Sequence, residues 1–114
     1  MVVLAIGENV PALTTAEAQA KYRAAYTKLL AELAEHVKPA VFVRSCFWAD
    51  PAKDQIMKQA AEEAGATFVD IGSLGSDQAF LSRDQGFAGH PNDKGMQAIA
   101  DALWKAIETK AAND

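Results

Sequence analysis

The spacing of apolar positions changes several times along this chain, and each change marks an element. VVLAI at residues 2 to 6 is an unbroken apolar run rich in β-branched residues and stopped by Gly7, which predicts a buried strand. Tyr22, Tyr26, Leu29, Leu33 and Val37 then recur every three to four positions, with Thr14 and Glu17 at capping-box spacing ahead of them. That pattern predicts an amphipathic helix over about 15 to 37, closed by Pro39. AVFV at 40 to 43 reads as a second buried strand, and Asp50 with Pro51 supplies an N-cap and a first-turn proline for a second helix. Ile56, Met57, Ala60 and Ala64 form its inner face, and Gly65 suits its C′ position. TFVDI at 67 to 71 is a third strand, and residues 72 to 89 form a long loop. Met96, Ile99, Ala100, Leu103 and Ile107 predict the core face of a last helix.

The order βαβαβα, with strands that show little polar alternation, predicts an α/β domain: a parallel sheet with helices on both faces. Such a domain is a three-layer, flavodoxin-like sandwich, here shortened to about three strands. Loops that follow parallel strands gather at the carboxyl ends, where ligands bind. Three segments therefore share one rim: GENV at 7 to 10, RSCFWAD at 44 to 50, and the loop that delivers His90. Residues 1 to 114 read as one domain, expected to be incomplete on its N-terminal side because so small a sheet leaves strand 2 to 6 as a bare apolar edge. Pairing of that edge with a second copy, as a homo-oligomer, or with a complementing segment is the expected remedy.

Composition narrows the choice of partners. Fifteen acids against eleven bases, interspersed along the chain, give a net charge of −4 and no basic stripe, so nucleic acid is not an expected partner. The longest apolar runs fall far short of the roughly 20 residues that span a bilayer, and no signal peptide opens the chain, so a soluble protein is expected, with no membrane partner and an open compartment. A single cysteine, Cys46, excludes an internal disulfide and a Cys-rich zinc site.

GHPNDKGM at 89 to 96 carries the most specific chemistry. Pro91 suits a helix start, Asn92 or Asp93 can cap the first turn, and His90 is thereby fixed at the helix entrance, where an imidazole can serve as a base. Asn9, just past the end of the first strand, could donate its side-chain amide to a developing oxyanion on the same rim. Taken separately, each has an ordinary reading as a loop or turn residue. Asp70 also ends on the rim, but His36 lies on a helix far from it, so no metal set forms, and Gly72 and Gly75 lack the lysine and helix of a phosphate loop. No cofactor is implied.

Together these segments resemble the SGNH, or GDSL-type, hydrolase family. GENV looks like its third block, GxND, and GHPNDKGMQAIADAL looks like its fifth, the histidine block with HPND. The residues between are similar in register to the strand, helix and strand that separate those blocks. The resemblance implies an ester hydrolase acting on a small-molecule carboxylic ester through a serine ester intermediate, with His90 as general base, Asn9 as oxyanion-hole donor and Gly7 shaping the turn. The family's serine-bearing first block and glycine-bearing second block have no counterpart in these residues. The acid usually found three residues before the histidine is replaced by Phe87. Asp84 could take that role only through a loop bend, and Asp93 reads more simply as a cap.

The nucleophile is therefore open. Cys46 is the alternative on the correct rim, although a buried thiol is the commoner fate of a free cysteine. Ser45 alternates to the other face of its strand end, and Ser73, Ser76 and Ser82 lie in the long loop without the strand-to-helix elbow that would expose a nucleophile. Phe47 and Trp48 could wall an acyl pocket or simply pack in the core. The rival to catalysis is a truncated scaffold of the same fold, used for association.

Overall fold

The computed structural model describes residues 1–36 and 38–114; Val37, expected near the end of the first helix, lies outside the described residues. The element order is β1 (Val2–Leu4), α1 (Ala16–His36), β2 (Val41–Arg44), α2 (Pro51–Glu63), β3 (Thr67–Val69) and α3 (Asp93–Asn113), with 3-10 turns at Leu74–Ser76 and Gln78–Phe80. All strands are parallel in the order β1-β2-β3, with Val3 beside Phe42 and Arg44 beside Val69. This is the three-layer α/β arrangement that the apolar runs predict.

Each sheet face has its own core. On one, Tyr26 and Leu30 of α1 and Met57, Ala60 and Ala61 of α2 close over Val43 and Cys46. On the other, Ile99 of α3 packs with Phe42, Phe47, Val69 and Ile71. Burying one side chain as large as Met57 or Ile71 stabilises the fold by about 1.5–3 kcal/mol, so this dozen residues carries the sandwich.

Local signals end the helices. Asp50 accepts from the Lys53 N–H and Pro51 opens α2, as its sequence indicates. Gly65 is the C′ residue, with the Ala66 N–H donating to Ala61 O in a Schellman closure. At α1 the cap is one residue later than expected: Thr15, not Thr14, accepts from the Ala18 N–H. At α3 the cap is Asn92, which accepts from the Gly95 N–H at 2.8 Å, so Pro91 stands before the cap rather than in the first turn and Asp93 begins the helix without capping it.

Three core assignments are corrected: Ala64 at the end of α2 is exposed, and so are Met96 and Ala100 of α3. Met96 is 55% exposed, and α3 instead turns Ile99, Ala102, Leu103, Ala106 and Ile107 inward. The rotation follows from close packing at the helix start, where Gly95 lies against the Phe80 carbonyl and leaves no room for a large neighbour on that side. β1 forms one edge of the sheet, and Val3, on the α3 face, is 39% exposed. No helix among the described residues is long and apolar enough to cross a membrane.

Candidate active site

The turn after β1 is held by charge on both sides of Asn9. Gly7 takes φ +113°, a conformation that favours glycine, and the Tyr22 hydroxyl fills the space a side chain would need. The Val10 N–H donates to Gly7 O at 3.1 Å and closes the turn. Glu8 Oε1 accepts from Arg44 Nη1 at 2.8 Å and from the Phe47 N–H at 2.6 Å. Two residues on, the ammonium of Lys53, itself buried, donates to Val10 O and pairs with Asp50. Asn9 sits exposed between these anchors, its neighbours fixed to the segment that joins β2 to α2.

The same segment holds the histidine. Phe47 is buried in the core, whereas Trp48 is 41% exposed and meets the His90 ring edge to face, with centroids 5.1 Å apart and planes at 88°. Trp48 Nε1 donates to Gly89 O at 2.8 Å. Contacts therefore run from the Asn9 turn through Glu8 to Phe47, and from Trp48 to His90. The three loops that follow the strands meet at one rim.

The loop from 81 to 92 is a small closed ribbon. Leu81 bridges Pro91 antiparallel. The Gly89 N–H donates to Ser82 O at 3.0 Å, and the Ser82 N–H donates to His90 O at 2.7 Å. Two residues thus oppose one, with Gly89 at φ +83°: a G1 bulge. Turns closed by Phe87 N–H to Asp84 O and His90 N–H to Phe87 O fold the tip back. Asn92 fastens the base by donating to the carbonyls of Ala79 and Leu81 while it caps α3.

This folding brings Ser82, Asp84 and His90 to the wall of one open hollow of about 580 Å³, bordered also by Phe87, Asp93 and Lys94. Asn9 is not on that wall. Its link to His90 runs through Glu8, Phe47 and Trp48 rather than across a shared cavity.

The remaining sequence candidates fall elsewhere. Cys46 is 3% exposed on the α1–α2 side of the sheet, its N–H held by Asp54. Burial, with the Asp54 carboxylate adding to it, pushes the thiol from 9.0 up to about 12, so Cys46 is a core residue with no accessible thiolate and loses its place as alternative nucleophile. Ser45 Oγ is buried, accepts from the Ile71 N–H at 2.8 Å and ties the ends of β2 and β3 together. Asp70 accepts from the Gly72 N–H and completes a turn. His36 ends α1, at the opposite end of the sheet from the His90 rim. Among the described residues no three His, Cys, Asp or Glu side chains are grouped to hold a metal ion.

Glu8 and Lys53 are the site residues that sequence reasoning missed. Their signal is faint: an acid beside the candidate asparagine, and a lysine in the first turn of a helix whose partner is more than forty residues away. Comparison of the chain with protein-family models, curated proteins and solved structures finds no match.

Proposed function

We propose that this chain carries the histidine and asparagine of an SGNH-type ester hydrolase site, with a small carboxylic ester as substrate. His90 takes the proton of the attacking hydroxyl and returns it to the leaving alcohol; Asn9, on the same rim but outside the hollow that His90 lines, donates its amide to the oxyanion of a substrate that spans the rim from that hollow to the β1 turn. The supporting observation is the pair of anchors on either side of Asn9. A buried lysine and a largely buried carboxylate fix Val10 and Glu8 and leave the side chain between them exposed, which is how a hydrogen-bond donor is preorganised. The proposal is tested with p-nitrophenyl acetate, comparing wild type, His90→Ala and Asn9→Ala. Each variant is expected to lower the rate on the order of a hundredfold. Equal rates in all three would remove the hydrolase reading.

A second reading has its own observation. Val3 and Ile6 at the edge of the sheet, with Met96 and Trp104 on α3, are exposed apolar residues. The exposed Val3 and Ile6 favour association through the β1 edge, with or without catalysis.

A further inference from the structure

We propose that Ser82 is the nucleophile paired with His90, and that Asp84 orients the imidazole, so that a serine–histidine–aspartate site is assembled within the single loop that precedes α3. This rests on the hydrolase reading of His90 and supplies the group which that reading leaves open.

The backbone makes the argument. In a G1 bulge the residue opposite the bulge and the second bulged residue project from the same face of the ribbon. Ser82 and His90 occupy those positions, joined by the Ser82 N–H to His90 O bond of 2.7 Å, and both line the same hollow. Asp84 reaches that hollow through the two successive turns at the loop tip, the bend that a carboxylate six residues before the histidine requires. The Asp84 N–H donates to Ser82 Oγ at 3.2 Å, which occupies a lone pair and leaves the hydroxyl proton free to be donated. The Ser82 hydroxyl and the His90 ring are not themselves hydrogen-bonded, and such catalytic bonds commonly tighten only when substrate binds. The other serines lack this setting: Ser45 is consumed by the Ile71 N–H, and Ser76 Oγ donates to Ser73 O, away from His90.

The chemistry balances on these groups. Ser82 Oγ bonds to the ester carbonyl carbon as His90 takes the hydroxyl proton. The bond from that carbon to the alkoxy oxygen breaks as His90 returns the proton to the leaving alcohol. Water, deprotonated by His90, then attacks the acyl-serine, releasing the carboxylic acid and restoring the Ser82 hydroxyl.

The test is covalent labelling of the intact chain with an alkyl fluorophosphonate, mapped by peptide mass spectrometry. The expected result is one phosphonyl group on Ser82, absent from His90→Ala and from urea-unfolded protein. Asp84→Asn should slow labelling on the order of tenfold, with partial recovery in Asp84→Glu, a rescue that a purely structural turn residue would not give. An adduct on another residue, or none while His90-dependent hydrolysis of p-nitrophenyl acetate persists, would overturn Ser82 and leave the hydrolase reading standing. Absence of both the adduct and His90-dependent turnover would overturn both.

Discussion

Trp48 and His90 form a perpendicular ring pair with centroids 5.1 Å apart, and the indole N–H reaches past the imidazole to the carbonyl of Gly89. The indole thus fixes both the ring and its backbone. Trp48→Phe keeps an aromatic edge but loses the hydrogen bond, at a cost of about 1 kcal/mol in denaturant unfolding. In Trp48→Ala the His90 ring protons should move away from their wild-type NMR positions, because the neighbouring ring current is gone. Unchanged His90 resonances would show that the pair is not populated in solution.

The anchors around Asn9 predict a local effect. Lys53→Met removes the ammonium that donates to Val10 O and leaves that carbonyl without its partner, costing about 2 kcal/mol. Asn9 backbone order, read by 15N relaxation, should fall in Lys53→Met and in Glu8→Gln while α3 stays unchanged. A uniform loss of order across the chain would instead mark Lys53 as a general core residue.

Burial of Cys46 sets an alkaline limit on stability. Its thiol is raised in the folded chain from 9.0 to about 12, so between those values the unfolded chain releases a proton that the folded chain keeps. Stability from this group is complete below about pH 9 and is lost as pH climbs through the folded value. Tyr26, raised by burial from 10.0 to about 12, acts in the same direction over the upper part of that window. The melting temperature should drop from pH 9 to 12, less steeply in Cys46→Ala, and iodoacetamide at pH 8 should leave the native thiol unmodified.

Gly89 tests the ribbon. Alanine at φ +83° is strained by about 1–2 kcal/mol, and relief of that strain would break the Gly89–Ser82 bond. Gly89→Ala should speed hydrogen exchange of the Ser82 amide, which donates to His90 O. Wild-type exchange would mean that the bulge does not depend on glycine.

Association is expected to run through β1. Sedimentation equilibrium at micromolar concentration should show a species larger than one chain, and Val3→Lys should return it to monomer by placing a charge on the exposed edge. A monodisperse monomer in the wild type would remove the association reading.

The elements were legible in the sequence because each is written in consecutive residues. The runs at 2 to 6, 40 to 43 and 67 to 71 mark the strands, although β1 stops at Leu4 and β3 at Val69, where the chain turns into the rim loops. The inner face of α3 was legible at Ile99, Leu103 and Ile107, whereas Met96 and Ala100 turn outward and Ala102 and Ala106 pack in their place. Asn9 and His90 could be singled out from their local motifs. The relations that build the site could not: Glu8 to Phe47 and Lys53 to Val10 join residues roughly forty positions apart. The pairing of Ser82 with His90 depends on two turns and a bulge that together hide an antiparallel ribbon inside what reads as an irregular loop.

Asn92 has a consequence for how the chain withstands cutting. Because one side chain secures the carbonyls of Ala79 and Leu81 and also starts the final helix, the two ends of the ribbon are fastened independently of its tip. Trypsin cleavage after Arg83 should therefore yield a nicked protein whose two pieces migrate together under native conditions and part only in denaturant.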